Sequence, residues 1–191
     1  MGELLNFDVE QHGQVQFLAT RSKGRAVRED LEDRIARERS DGVIIDFTGV
    51  EAMTISFADE FLGRLYASLA AGDVLAPAVL LRGLNEENLA TVSICLERRE
   101  LAAAVIIDGQ PVLLSPLEYL VETYMAALSL GTFSALDLAA QLAISPQNVN
   151  NRLKRLVGAG AIRRRRVASD RGGKEFAYTA PALLPEPTTC D

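Results

Sequence analysis

Apolar residues in the first half of the chain follow two different spacings. Val27, Leu31 and Ile35 recur every four residues, which predicts a helix with one buried face. Val43–Phe47 is instead a short apolar run rich in β-branched residues, and such a run predicts a buried strand. The two patterns alternate along the chain, as in a layered α/β sheet built from βαβ units. They predict strands at 14–20, 43–47, 79–81 and 103–107 and helices at 25–39, 57–69 and 86–96.

The second half has a different pattern, in which helix signals come first and strand signals last. Ser115, Ser134 and Ser145 each precede a helical spacing of apolar residues and are suited to cap a helix. Proline follows the first and third of these serines, and the first position of a helix favours proline. Two strand-like runs around a glycine-containing turn then predict a hairpin. The expected elements are helices at 116–130, 135–143 and 146–157 and strands at 161–168 and 175–179.

The break between these patterns lies at Gly109–Pro111 and divides the chain into two predicted domains. We expect an α/β domain with a layered sheet at 1–110 and a mostly α domain with a β-hairpin wing at 115–180, followed by an irregular tail at 181–191. A length of 191 residues accommodates two small domains. Hydrophobic residues make up 48% of the chain, which is enough for a real core.

Charge is distributed unevenly between the two halves. Residues 1–114 carry 11 Lys and Arg against 19 Asp and Glu, whereas residues 115–191 carry 9 against 7. All nine basic residues of the second half lie between Arg152 and Lys174, where Asp170 is the one acidic residue. The net charge of −6 for the whole chain therefore conceals a strongly basic segment, which favours a polyanionic partner.

The predicted helix at 146–157 combines this charge with amide side chains. Val149 and Leu153 would pack against Leu138 of the preceding helix, which turns the polar residues outward. In the major groove of DNA, amides pair with adenine and arginine pairs with guanine, while a basic hairpin reaches phosphates or the minor groove. The candidate DNA-binding residues are Ser145, Gln147, Asn148, Asn150, Asn151, Arg152, Lys154, Arg155, Arg163, Arg164, Arg165, Arg166, Arg171 and Lys174.

The run Leu138–Leu156, with the segment Gly158–Arg164 and the wing after it, resembles the winged helix-turn-helix of MarR-like bacterial regulators. The resemblance covers about residues 115–180. It implies double-stranded DNA as the partner, with recognition helix 146–157 in the major groove and the basic wing 163–174 on phosphates or the minor groove. Some winged helices bind protein and touch no nucleic acid, so a protein-binding role is the alternative.

A second resemblance covers about residues 14–108. The strand Val43–Phe47, its following loop and the helix from Phe57 resemble the STAS domain of bacterial anti-sigma-factor antagonists. The segment Arg21–Arg25 is similar to one in a STAS-like family. In the antagonists, a partner kinase of the GHKL type phosphorylates a serine in an Asp-Ser-Ser-Gly loop. The resemblance implies a signal-receiving domain whose partner is such a kinase or another regulatory protein.

Ser56 falls on the phosphorylated serine when the loop is aligned from Asp46. Thr54, Ile55 and Phe57 replace the other three residues of that motif. The resemblance makes Ser56 a candidate for phosphorylation or partner contact, and Thr54 is a second candidate on the same loop. Ser56 is also suited to cap the helix that follows, a structural role that needs no modification.

Several classes of function are disfavoured by the residue types present. His12 is the single histidine, and Cys95 and Cys190 form no metal motif and no disulfide framework. The sequence contains no recognisable nucleophile, paired-carboxylate or nucleotide-binding constellation, so we expect no enzymatic activity, no metal and no cofactor. It also lacks an apolar run of about 18 residues and a secretory start, which predicts a cytoplasmic protein with no membrane partner.

Taken together, these patterns predict a cytoplasmic bacterial transcription regulator that binds DNA and is controlled through its STAS-like domain. The apolar residues of helix 116–130 exceed what a small core needs, which favours a homodimer. One alternative is a partner-switching adaptor, resembling an anti-sigma-factor antagonist, whose winged helix binds protein. Another is a small-ligand sensor that holds its effector between the two domains.

Overall fold

The computed structural model describes residues 4–13, 16–38, 40–168 and 174–180. In the first part of the chain its elements are β1 (Leu4–Asp8), α1 (Val9–Gly13), β2 (Phe17–Leu18), α2 (Arg21–Glu38), β3 (Gly42–Asp46), β4 (Ala52–Met53), α3 (Ile55–Ala58), a π-helical turn (Asp59–Gly63), α4 (Arg64–Ala71), β5 (Val79–Arg82), α5 (Glu86–Glu97), β6 (Ala103–Ile107) and β7 (Gln110–Leu114). In the second part they are α6 (Glu118–Leu130), β8 (Thr132–Ser134), α7 (Ala135–Leu142), α8 (Pro146–Gly158), β9 (Arg163–Ala168) and β10 (Lys174–Thr179).

A five-stranded mixed sheet forms the centre of the α/β part. Its strand order is β1-β3-β5-β6-β7; neighbours from β1 to β6 are parallel, and β7 is antiparallel to β6. All five residues of β3 are buried, as the apolar run at 43–47 predicts. The predicted α/β class is confirmed, and helix α2 buries the predicted Val27, Leu31 and Ile35.

Apolar side chains cover both faces of this sheet. Alternate residues of β5 divide between two clusters: Val79 and Leu81 join the core under the preceding helices, whereas Leu80 joins a second core. Ala104 and Leu113 extend that second core onto β6 and β7. Because side chains of a strand alternate between faces, the second face of the sheet packs against the C-terminal part of the chain.

The second core holds three helices and a small sheet together. Leu138 of α7 packs with Val149 and Leu153 of α8, as their spacing predicts. A three-stranded antiparallel sheet, in the order β8-β10-β9, closes this core, and Phe133 of β8 stacks on Tyr178 of β10 with ring centroids 5.9 Å apart. The predicted hairpin is therefore present, and the short strand β8 pairs with its second arm.

A backbone contact joins the two parts at the end of α8. The amide of Val79 donates a hydrogen bond of 2.9 Å to the carbonyl oxygen of Gly160. Gly160 has a φ of +66°, and a Cβ at this position would lie 2.9 Å from the Val79 nitrogen. A side chain would therefore separate the two backbones, which is the physical reason for glycine here. The domain boundary near residue 110 stays a prediction, since the two cores meet on one sheet.

Several element predictions need correction. Of the strand predicted at 14–20, only Phe17–Leu18 (β2) is a strand among the residues that the structure describes. Strands β1, β7 and β8 were not predicted, because each is short and mixes polar with apolar residues. Helix α6 begins at Glu118, not at 116. Leu117 is extended, and its amide donates to the Ser115 hydroxyl at 3.2 Å, so this oxygen closes a local turn instead of capping a helix.

Candidate functional site

Helix α8 presents a polar surface because its apolar residues occupy one side. Ser145 caps the helix by accepting a hydrogen bond of 3.3 Å from the amide of Asn148, and Pro146 occupies the first turn. Val149, Leu153 and Leu156 are buried. The predicted cap and the predicted apolar face of this helix are both confirmed.

Amide side chains line the exposed side of the first two turns of α8. Gln147, Asn148, Asn150 and Asn151 are all exposed. Gln147 Nε2 donates to Asn151 Oδ1 at 3.4 Å, one helical turn further on. This contact aligns two amides next to each other on the surface, and both retain further donors and acceptors for a partner.

Two arginines of α8, predicted to contact DNA, have partners inside the protein. Arg152 Nη1 donates to Thr123 Oγ1 at 3.1 Å, and its guanidinium lies 5.1 Å from the centre of the Tyr119 ring. Arg155 donates to the Tyr119 hydroxyl at 2.8 Å and to the carbonyl oxygen of Glu100 at 3.1 Å. These arginines join α8 to α6 and to the loop before β6, whereas Lys154 between them is exposed.

The arginines of β9 alternate between the two sides of the hairpin. Arg163 is directed toward β3: a Cβ at Gly42 would lie 2.9 Å from its Nη2, and its Nε has no hydrogen-bond partner among the described residues. Burial lowers the pKa of the Arg163 guanidinium. Arg164 and Arg166 lie over the Phe176 ring at 4.7 and 5.9 Å, and Arg165 is exposed.

The structure thus divides the predicted DNA-binding residues into three groups. Arg152 and Arg155 are bonded within the protein, although Arg155 is itself exposed, and Arg163 is half-buried. Arg171 and the side chain of Lys174 lie outside the described residues. The exposed group consists of Ser145, Gln147, Asn148, Asn150, Asn151, Lys154, Arg164, Arg165 and Arg166.

A second polar site lies at the carboxyl ends of β3 and β5. Asp46 Oδ1 accepts hydrogen bonds from the Thr48 hydroxyl at 2.6 Å and the Thr48 amide at 3.0 Å, and Asp46 Oδ2 accepts from Arg82 Nη2 at 2.6 Å. Burial raises the pKa of the Asp46 carboxyl, but the bonds from Thr48 and Arg82 outweigh it, so this pKa lies below its ordinary value. Asp46 thereby fixes the start of the loop that leads to α3.

The far end of the same loop is held by two asparagines, one within α5 and one that caps it. Asn88 is fully buried; its Nδ2 donates to the Val50 carbonyl oxygen and its Oδ1 accepts from the Met53 amide, both at 3.0 Å. Asn85 donates to the Glu51 carbonyl oxygen at 2.8 Å while it caps α5, as predicted. The roles of Asn88 and Arg82 were missed by sequence reasoning, because their partners lie more than 30 positions away in the chain.

The cap of α3 is Thr54, and the prediction that Ser56 caps this helix is wrong. Thr54 Oγ1 accepts a hydrogen bond of 3.2 Å from the Phe57 amide and donates one of 2.7 Å to the Ala19 carbonyl oxygen. Ser56 lies inside the first turn of α3 and is half-buried. The helix begins two residues earlier than a Ser56 cap requires, and its start is fixed by the contact of Thr54 with Ala19.

We expect Thr54→Ala to lower the free energy of unfolding by about 1–2 kcal/mol, because it removes both the helix cap and the bond to Ala19. Ser56→Ala is the matched control and should change stability by less than about 0.5 kcal/mol. Urea unfolding of the two variants, followed by circular dichroism, measures both values. A greater loss for Ser56→Ala than for Thr54→Ala would contradict the assignment of the cap.

Charged residues surround the π-helical turn beside this loop. Glu60 is buried and lies 3.6 Å from Arg25, 3.8 Å from Arg28 and 3.3 Å from Arg64. Arg99 donates two hydrogen bonds to the Asp59 carboxylate, at 2.8 and 3.0 Å, and these hold the pKa of Asp59 below its ordinary value. The acidic residues of the turn are therefore paired, which fixes the position of α3 against α2.

The described part of the chain contains no group of three or more His, Cys, Asp or Glu side chains that could hold a metal ion. Its helices include none that is long and apolar enough to cross a membrane. Free Cys95 is buried, and burial raises the pKa of its thiol to about 11. This thiol is therefore protonated at neutral pH.

Comparison with known proteins identifies one similarity. Residues 23–87 match a family described as a STAS-like domain of unknown function (DUF4325). The matched segment runs from within α2 through the loop with Thr54 to the start of α5, so it contains Asp46 and Arg82, whereas Asn88 lies one residue beyond it. No curated protein and no solved structure matches the chain. The predicted STAS-like character is confirmed for residues 23–87, and a STAS-like domain suggests a regulatory or protein-interaction role.

Proposed function

We propose that this chain is a DNA-binding transcription regulator, in which α8 and the β9–β10 hairpin contact duplex DNA and the STAS-like part receives the regulatory signal. The observation that carries the proposal is the surface of α8. Its apolar side is buried, and its opposite side exposes four amide residues followed by Lys154. Side chains of these types in the first turns of a helix can read base edges in the major groove.

The topology of the C-terminal part supports this proposal. Helix α6, strand β8, helices α7 and α8 and the hairpin follow one another, with the sheet order β8-β10-β9. This is the order of elements in a winged helix-turn-helix, where the second helix of the α7–α8 pair enters the major groove. In that arrangement the hairpin is the wing, and its arginines lie beside the DNA backbone.

The exposed cations of β9 support the proposed contact of the hairpin with phosphates. Arg164, Arg165 and Arg166 follow one strand, and the Phe176 ring supports two of them. Stacking on an aromatic face restricts an arginine without neutralising its charge, so it remains available to a phosphate. The N-terminus of α8 adds the positive end of the helix dipole, which favours a phosphate there.

The STAS-like part would act through the loop between β3 and α3. Asp46 fixes one end of this loop and Asn88 fixes the other, while Ser56 lies in the first turn of the adjoining helix. A protein partner or a phosphate on Ser56 would change the charge at the start of α3, close to the paired Asp59. The second face of the same sheet carries the C-terminal helices, which provides a physical route between the two parts.

A protein-binding adaptor is the second candidate, and one observation favours it. Three of the nine basic residues between 152 and 174 are engaged within the protein, which leaves fewer cations for DNA than the sequence predicts. In the adaptor, the polar surface of α8 would bind a protein partner, and the affinity for duplex DNA would not depend steeply on salt concentration.

A homodimer remains a proposal for either function, with Met125 exposed on α6.

The base-reading role of α8 is tested by Asn151→Ala. We expect this variant to bind its preferred duplex more weakly by about 1–3 kcal/mol, because one amide pair with a base is lost. Binding to a duplex of unrelated sequence should hardly change. Preferred duplexes are first selected from a random library with the wild-type protein, and fluorescence anisotropy then measures both affinities.

Gln110→Ala is the matched control, since Gln110 is an exposed amide on β7, away from α8. It should leave both affinities unchanged. Failure of the wild-type protein to enrich any sequence, or an equal loss for both variants, would refute base reading by α8.

A further inference from the structure

A groove lies beside the second half of α2, on the face of the main sheet that carries the first core. It has a volume of about 680 Å³ and lies between α2 and the segment that joins α4 to β5. Its apolar residues include Val74, Leu75 and Pro77 of that segment, and Leu75 is 81% exposed. Apolar groups that surround an open groove with a polar rim are typical of a protein interaction site.

The charged residues that line this groove are acidic. Asp33 of α2 and Asp73 after α4 are exposed, and neither carboxylate forms an ion pair among the described residues. Glu32 also lines the groove but pairs with Arg28 at 3.5 Å, and Arg37 donates to the backbone oxygen of Asp33. Within the described part of the chain, no lysine or arginine lines the groove. The groove therefore favours a cationic partner that carries an apolar side chain.

The β9–β10 hairpin exposes groups of the complementary type. Phe176 of β10 is 41% exposed, and the guanidinium groups of Arg164 and Arg166 lie 4.7 and 5.9 Å from the centre of its ring. The two arginines are two positions apart on β9, so both lie on the face of the hairpin that carries this ring. Aromatic and arginine side chains are the types that most often dominate the binding energy of an interface. One face of the hairpin thus presents an aromatic ring flanked by two cations.

The groove and the hairpin lie at the same end of the main sheet. Arg163, at the start of β9, is directed toward Gly42, and the next residue of β3, Val43, lines the groove. Because adjacent residues of a strand point to opposite faces, the base of the hairpin lies on one face of the sheet and the groove on the other. Leu75 and Phe176 are both exposed within one chain, so the groove and the hairpin do not cover each other there. The complementary hairpin must therefore come from a second copy.

We propose that two copies of this chain form a closed two-fold dimer, in which the hairpin of each copy lies in the groove of the other. The Phe176 ring would pack on Leu75 of the second copy. The two arginines beside the ring would pair with Asp33 and Asp73. A two-fold arrangement forms both contacts at once, whereas a one-way contact would extend into an open chain of copies. The dimer would cover two arginines of the wing and compete with DNA; this consequence rests on the proposed function, but the dimer itself does not.

Sedimentation equilibrium of the full chain, without DNA, measures this dimer. We expect a Kd for dimer dissociation of about 100 μM or tighter at low salt, and a weaker dimer as the salt concentration rises. Leu75→Ser should weaken the dimer at least about tenfold. The melting temperature of this variant should stay unchanged at a concentration where the chain is monomeric, because Leu75 is exposed and contributes little to the core.

Two charge reversals distinguish this interface from any other. One double variant carries Arg164→Glu with Arg166→Glu, and the second carries Asp33→Arg with Asp73→Arg. Each alone should weaken self-association at least about a hundredfold, because like charges then face each other at both contacts. An equimolar mixture of the two should dimerise about as tightly as the wild-type protein, because opposite charges again meet at both contacts. Restored dimerisation in the mixture also shows that both variants are folded.

The matched controls reverse two exposed charges outside the groove and the hairpin. They are Arg21→Glu with Arg98→Glu, and Glu51→Arg with Glu97→Arg. Both controls should dimerise like the wild-type protein. A wild-type protein that stays monomeric, a dimer that the two charge reversals leave intact, or a mixture no more associated than its components would overturn the proposal. Absence of DNA binding in a separate measurement would leave the dimer standing and would refute only the proposed function.

Discussion

Replacing Arg164, Arg165 and Arg166 together with glutamate is expected to weaken duplex binding by at least about a hundredfold near physiological salt. Each phosphate contact releases condensed counterions, so the loss of three contacts removes a large part of the sequence-independent affinity. The new carboxylates would also repel the backbone. Fluorescence anisotropy with a labelled mixed-sequence duplex measures the change at fixed salt.

The matched control carries the same change in net charge on the other part of the chain. Arg21, Arg37 and Arg98 are exposed, and the triple glutamate variant of these residues alters the total charge equally. It should weaken binding by less than about tenfold, because these residues do not lie on α8 or the hairpin. Equal losses for the two triple variants would mean that overall charge, and not the wing, determines the affinity.

Asp46→Asn is expected to decrease the free energy of unfolding, and the decrease should lie near the lower end of about 3–5 kcal/mol. The side chain of Asp46 is 12% exposed and that of Arg82 is 31% exposed, so the pair is partly shielded from water. The amide cannot neutralise Arg82, and it cannot accept the bonds from Arg82 and Thr48 as strongly as a carboxylate does. Urea unfolding at neutral pH measures this loss, with the exposed Asp33→Asn as the control.

The same carboxylate predicts a pH dependence of stability. Its pKa is lower in the folded protein than in the unfolded chain, so its contribution is fully present above the unfolded value of about 3.9. That contribution is lost as the pH falls through the folded pKa. Stability of Asp46→Asn should therefore fall less than that of the wild-type protein between pH 5 and pH 3. If Asp46→Asn and the wild-type protein lose equal stability between pH 5 and pH 3, the lowered pKa of Asp46 is contradicted.

Sequence patterns predicted those parts of the fold that depend on neighbouring residues. The apolar run at 43–47 is a central strand because every residue of it is buried, and Ser145 caps α8 because its partner, the Asn148 amide, lies three residues away. The short strands β1 and β8 escaped prediction because their pairing partners are remote in the chain, whereas β7 follows β6 directly and was missed because it mixes polar with apolar residues. Strand β8, for instance, pairs with β10 more than 40 residues later.

The residue types of the candidate DNA-binding site were predictable from the sequence, but the directions of their side chains were not. A count of basic residues cannot distinguish the exposed Arg165 from Arg163, which is directed toward β3, or from Arg152, which lies over Tyr119. The cap at Thr54 was missed for the same reason, since its second partner is Ala19.

The central claim is tested most directly by the affinity of the wild-type protein for a labelled mixed-sequence duplex at two salt concentrations. With roughly six phosphate contacts in each chain, the logarithm of the binding constant should fall with the logarithm of salt at a slope of about −5. Affinity should then drop about a thousandfold between roughly 50 and 200 mM salt. Absence of binding at the lower concentration would contradict DNA binding and leave the protein-binding adaptor as the function to pursue.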